Sequence, residues 1–145
     1  TVKEMYERKG IKAEIFRFID DMAEAYSHVD LVICRAGATS IAEITALGLA
    51  SILIPYPFAA NNHQEINARC LADKGAAIMM KQSEIVGDSM AKVIRKFYEN
   101  PDELEKVKQG AKTLGMPDAA GKIVESIIRL TVGATFVGRP IGLYV

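Results

Sequence analysis

The chain carries no net charge, because 18 basic side chains balance 18 acidic ones. No global field therefore draws it to nucleic acid, although a local basic patch is compatible with that balance, and nucleic acid is not an expected partner. Cysteine is scarce. Cys34 and Cys70 are the only two, they fall at a strand end and in a helix, and nothing nearby supplies zinc-ligand spacing. A reducing, cytoplasmic compartment is the expectation, with no metal. Also lacking is any apolar run of the roughly 18 residues that a bilayer crossing needs, and the amino terminus has no apolar core of a secretion signal. There is no internal repeat and no low-complexity segment.

What is present is a chain of 145 residues, half of them apolar, which suits one domain with a real core. Apolar runs and turn signals alternate regularly. Ala13 to Phe16 is a short strand candidate, and Asp20 or Asp21 can cap a helix running to about His28. Asp30 to Cys34 is short and almost wholly apolar, the pattern of a strand buried on both faces. A helix follows from Thr39 to Leu47 and is stopped by Gly48. Ser51 to Ile54 is a second buried strand, closed by Pro55 and Pro57, which cannot extend a ladder. His63 to Lys74 is helical, with Gly75 at its carboxyl cap, and Ala76 to Met80 is a strand.

Three helices complete the pattern: Ile85 to Tyr98, one announced by Asn100-Pro101-Asp102-Glu103, and one from about Asp118 to Leu130. Short strands alternating with helices predict an α/β fold, a Rossmann-like parallel sheet with helices on both faces. The chain opens at Thr1 in a helix-like segment and reads as a piece of something longer. The stretch "ATFVGRPIGLYV" from Ala134 has no helical period and is set apart as an appendage.

Ligands of such sheets bind beyond the carboxyl ends of the strands, where three loops lie: Phe18 to Met22, Arg35 to Ser40, and Pro55 to Asn62. Gly37-Ala38-Thr39-Ser40 joins a strand to a helix, and its small side chains leave backbone N–H groups open to an anion at the positive end of the helix. A phosphate or diphosphate fits there. Glu43 has two readings. Ser40-Ile41-Ala42-Glu43 matches a capping box, yet a carboxylate one turn into a phosphate-binding helix also suits ribose hydroxyls.

Gln64 and Asn67 share one helix face and, as amides, offer both a donor and an acceptor to sugar hydroxyls or to nearby loop carbonyls. His63 reads as a cap or loop-bonding group, since no nearby Ser or Cys and acid complete a triad. Arg35 could pair with a phosphate or clamp an acid such as Glu43.

Phe18-Ile19-Asp20-Asp21-Met22, Asp30-Leu31-Val32-Ile33-Cys34-Arg35, Gly37-Ala38, Glu43, Pro55, His63-Gln64, Asn67-Ala68 and Gly75-Ala76-Ala77 occur in one order. Together they resemble the carboxyl-terminal, donor-binding domain of the MurG family, the UDP-N-acetylglucosamine:lipid I glycosyltransferases of peptidoglycan synthesis. The resemblance covers about residues 1 to 131 and leaves 132 to 145 as the appendage. It implies the carboxyl-terminal half of a two-domain GT-B enzyme. The backbone of Ile19 would hold the uracil edge and Met22 would pack beside the nucleotide. N–H groups at Ala38 and Thr39 would face the diphosphate, Glu43 the ribose, and Gln64 with Asn67 the N-acetylglucosamine hydroxyls.

This chain has Ala36 where the family commonly has Ser, and Ala50 where it commonly has Pro. The resemblance further implies a peripheral enzyme on the cytoplasmic leaflet, with the acceptor domain, the catalytic base and a Gly-rich donor loop lying outside this stretch. Lipid I would be the acceptor, and no cofactor is implied. Two other readings stay open: the cytosolic chain of a split transferase acting on dolichol-linked sugar, and a non-catalytic α/β module in which Glu43 is only a cap.

Overall fold

The computed structural model describes residues 1–134. The chain divides into two units, Thr1–Asp30 and the remainder from Leu31. In the first, helix α1 (Val2–Arg8) opens with a reciprocal cap in which Thr1 Oγ1 accepts from the Glu4 N–H and the Glu4 carboxylate accepts from the amino terminus. Helix α2 (Met22–Ser27) starts at Asp21, whose side chain accepts from the Glu24 N–H at 2.8 Å, as an N-cap aspartate should. The strand expected over Ala13 to Phe16 is absent. A strand exists only as one member of a ladder, and no described strand pairs with this segment, which keeps Ile15 and Phe16 exposed.

The second unit is a parallel α/β sandwich. Strands β1 (Leu31–Cys34), β2 (Ala50–Leu53) and β3 (Ile78–Met79) lie in that order and all run the same way, with Leu31 beside Ala50 and Ile52 beside Ile78. Helix α3 (Ala38–Leu47) joins β1 to β2, and α4 (His63–Ala72) joins β2 to β3 after a 3-10 turn at Ala60–Asn62. Helices α5 (Ser89–Glu99), α6 (Pro101–Leu114) and α7 (Ala119–Ala134) follow. The last runs past the expected boundary at 131, and the rest of the expected appendage lies outside the described residues.

Apolar side chains drive this arrangement on both faces of the sheet. Leu53 packs with Ala36, Ala68, Leu71 and Ala111 on one side, while Ala50 and Ile52 pack with Phe97, Val107 and Met80 on the other. All four residues of β2 are buried, and each large aliphatic removed from water there contributes about 1.5–3 kcal/mol. Alternating faces of one strand thus feed two cores. Ser51, on the same strand, is fully buried and its hydroxyl has no hydrogen-bond partner among the described residues.

Several element ends differ from the sequence reading for local reasons. α5 begins at Ser89 rather than Ile85, because Gln82–Glu84 first makes a 3-10 turn in which the Glu84 carboxylate accepts from the Lys81 N–H at 2.8 Å, and Gly87 then turns left-handed at φ 54°. Asn100 precedes Pro101, which sits at the first position of α6 as expected. Its side chain, however, donates back to the Lys96 carbonyl instead of capping α6. Gly48 ends α3 in the left-handed conformation at φ 67°, the role its position predicts.

Candidate functional site

Strands β1, β2 and β3 all deliver their carboxyl ends to one side of the sheet, so their exit segments are neighbours. The first, Arg35 to Gly37, leads into α3 with Gly37 as the N-cap residue, and no side chain caps that helix. The expected capping box from Ser40 to Glu43 is therefore not formed: Ala38 and Thr39 already lie in the helix, placing Ser40 inside the first turn. The first N–H groups of α3 are thus left without a side-chain cap at the positive end of the helix, a chemistry compatible with an anion. Glu43 is half-buried, one turn further along α3.

The second exit, from Pro55 to Asn62, is shaped by two prolines and by Asn61 and Asn62, both left-handed at φ 50° and 53°. Asparagine is among the few residues other than glycine that enter that region readily, so the Asn-Asn pair sets the sharp entry into α4. His63 Nδ1 donates to the Ala60 carbonyl at 2.8 Å, the loop-bonding role expected of it. The Gln64 side chain accepts from the Tyr56 N–H at 2.9 Å, and Asn67 Nδ2 donates to the Ala36 carbonyl at 3.2 Å. Both amides thus tie α4 to the loops in front of it. Each is half-buried, and each uses only part of its hydrogen-bonding capacity in doing so.

Arg35 is engaged by the segments that leave the other two strands. It does not clamp Glu43; its Nη1 donates to the carbonyls of Pro55 (3.2 Å) and Ile54 (3.4 Å), and its Nη2 donates to Gln82 Oε1 (2.9 Å). Its guanidinium also lies 5.5 Å from the Tyr56 ring centre, within cation–π range. The Tyr56 ring meets Phe58 edge-on at 5.7 Å. Gln82 was not legible as part of this cluster, since no motif marks it and only the fold brings the exit of β3 beside Arg35.

These residues line more than one hollow. Ala38 and Asn67 share a groove of about 370 Å³ with Ile41, Ala42, Cys70 and Met116. Tyr56, Phe58, Glu65, Lys81 and Gln82 border a second, of about 350 Å³. On its wall the Glu65 carboxylate is held below the usual carboxylate range by hydrogen bonds from Arg69 and Lys81, at 2.7 and 2.9 Å. Ile19 and Met22 belong to the Thr1–Asp30 unit, where both are partly exposed and Met22 opens α2.

This arrangement is similar to known proteins. The family model described as the glycosyltransferase family 28 C-terminal domain matches residues 1–123. A UDP-N-acetylglucosamine--N-acetylmuramyl-(pentapeptide) pyrophosphoryl-undecaprenol N-acetylglucosamine transferase from Myxococcus xanthus is 45% identical over 132 residues, covering 91% of this chain and 34% of that relative. The equally named protein of Geotalea uraniireducens is 45% identical over 128 residues, covering 88% and 35%. The crystal structure of Acinetobacter baumannii MurG superposes with a TM-score of 0.72 at 34% identity, over 82% of this chain and 36% of that one. The chain thus spans about a third of the length of the curated relatives it matches. With nearly its whole described length matched by the model, and with the fold shared, the chain belongs to glycosyltransferase family 28, within its C-terminal domain.

Proposed function

We propose that this chain is the donor-binding part of an inverting, metal-independent glycosyltransferase that moves N-acetylglucosamine from its UDP donor to lipid I. The observation that carries the reading is the start of α3, which opens at Gly37 with no side-chain cap at the carboxyl end of β1. A diphosphate there would accept from the N–H groups of Ala38 and Thr39, and the same groups would stabilise charge developing on departing UDP. Glu43 would take the ribose hydroxyls, and Gln64 and Asn67 the sugar. Ile19 and Met22 would hold the uracil, and His63 would keep the entry to α4 in shape.

In the whole enzyme a base outside these 145 residues would deprotonate the acceptor hydroxyl, which attacks the anomeric carbon and expels UDP. Closure of two domains over the donor would exclude water. The activity named for the relatives favours an undecaprenol-linked acceptor over a dolichol-linked one. Such an enzyme would sit peripherally on the cytoplasmic leaflet; among the described residues no helix is long and apolar enough to cross a membrane.

The test is titration of isotopically labelled chain with UDP-N-acetylglucosamine, UDP-glucose and UDP. Backbone amides of Ala38, Thr39 and Glu43 should shift with all three, and Gln64 and Asn67 should respond differently to the two sugars. Glu43→Ala should weaken all three ligands by at least about tenfold, the effect of losing charge-assisted hydrogen bonds. Unchanged affinity in that variant, or amide shifts scattered away from α3, would overturn the reading.

A further inference from the structure

The Pro55–Tyr56 peptide is gripped from both sides. Its carbonyl accepts from Arg35 Nη1 at 3.2 Å, and its N–H donates to Gln64 Oε1 at 2.9 Å. A peptide is a rigid plane, so the orientation of that plane couples the two side chains directly. Arg35 is in turn held by Gln82 Oε1 at 2.9 Å. Ala36, the next residue, accepts from Asn67 Nδ2 at 3.2 Å. A hydrogen-bonded circuit therefore runs from Gln82 through Arg35 and the Pro55–Tyr56 peptide to Gln64, and Asn67 joins it only through the main chain between Ala36 and Arg35.

The circuit also fixes which way each amide faces. With Gln64 Oε1 occupied by a backbone N–H, the group left to a ligand is the Nε2 donor pair. With Asn67 Nδ2 engaged by a carbonyl, the group left is chiefly the Oδ1 acceptor. A hydroxyl both accepts and donates, so two amides of opposite polarity on one helix face discriminate its placement better than two alike.

We propose that Gln82 and Arg35 are positioning residues for sugar selection: through the Pro55–Tyr56 peptide they hold Gln64 with its NH₂ turned to the donor's sugar. The proposal rests on the donor-site reading above. It assigns to Gln82, whose side chain bonds Arg35 and not the amides of α4 among the described residues, an effect confined to the sugar part of the ligand.

The experiment measures affinities of the full chain for UDP and UDP-N-acetylglucosamine, together with hydrogen exchange at the Tyr56 amide. In Gln82→Ala the advantage of the sugar nucleotide over UDP should fall about three- to tenfold, the loss expected of one hydrogen bond. UDP affinity should be unchanged, and the Tyr56 amide should exchange faster while that of Ile52 in the core does not. Gln82→Glu, which keeps an acceptor for Arg35, should restore the advantage. If Gln82→Ala compromises folding, Gln82→Met replaces it, a side chain of similar length with only a weak acceptor for the guanidinium.

Equal losses for UDP and the sugar nucleotide, or an unaltered advantage with unaltered Tyr56 exchange, would overturn the proposal alone. A wild-type chain that shows no advantage for the sugar nucleotide would sink the donor-site reading and this proposal with it.

Discussion

The main-chain N–H of Tyr56 donates to Gln64 Oε1 at 2.9 Å, so the loop uses the acceptor end of that amide and leaves the donor end. Gln64→Glu should keep the loop bond, because a carboxylate oxygen accepts as well, while removing the NH₂ group. Thermal unfolding should move by no more than about 0.5 kcal/mol equivalent, whereas the preference for UDP-N-acetylglucosamine over UDP should drop about three- to tenfold. Calorimetric titration beside a melting curve separates the two effects; a large loss of stability with the preference retained would refute this division of labour.

Gly110 in α6 packs so closely on the turn after α4 that a Cβ there would lie 2.7 Å from the Gly75 carbonyl oxygen. Helix propensity alone would reward alanine with about 1 kcal/mol. Overpacking against backbone should outweigh it, and Gly110→Ala should destabilise by about 1–3 kcal/mol net in urea unfolding. Gly121 in α7 has nothing within 4 Å of such a Cβ, so Gly121→Ala is the control and should be neutral or stabilising.

Ser51 places a hydroxyl in the central strand with no partner among the described residues. Burying an unpaired hydroxyl costs about 1–3 kcal/mol. Ser51→Ala should therefore be neutral or raise the melting temperature; a loss of more than about 1 kcal/mol would show that the hydroxyl is satisfied in solution.

Cys34 ends β1 half-buried, and its thiol pKa is pushed up by burial, whereas Cys70 is exposed on α4. Because the thiolate is the reactive form, a maleimide at about pH 8 should label Cys70 well ahead of Cys34. Peptide mapping after partial labelling reads the order, and equal rates would contradict it.

The lowered pKa of Glu65 ties stability to pH. A carboxyl whose folded value lies below its unfolded value stabilises the fold above the unfolded value, and that contribution disappears as pH falls through the folded one. The melting-temperature difference between wild type and Glu65→Gln should be small at about pH 7, as for exposed pairs generally. It should shrink as pH falls below the ordinary carboxylate value of about 4.3 and vanish once pH has passed the lowered folded value. A difference that persists there would mean Glu65 acts through packing rather than charge.

The sequence made the strand bounds legible, since Asp30 to Cys34 and Ser51 to Ile54 fall within a residue of β1 and β2. Burial on both faces holds for β2 but not for β1, where Ile33 stays exposed because among the described residues only β2 pairs with that strand. The sequence misled at Ala13 to Phe16, whose apolar content suits a strand but which has no described partner to pair with. Ser40 and Glu43 had the spacing of a capping box, yet Gly37 took the cap position at φ −70° and ψ 146° and α3 began earlier. The order of candidate side chains along α3 and α4 could be read from spacing. The partners of Arg35 could not, because they come from the ends of two other strands, and a hydrogen bond across three loops leaves no periodic trace.

The strand order β1-β2-β3 repeats the order of the chain, with one helix spanning each step. The consequence is kinetic. Each pairing closes a crossover partly shortened by its own helix, so less chain entropy is lost per step than an unstructured crossover of that length would cost. The sheet can assemble by successive local additions, β1 with β2 first, and the Arg35 circuit closes only when β3 brings Gln82 alongside. The last strand to dock would then also be the one that makes the recognition surface competent.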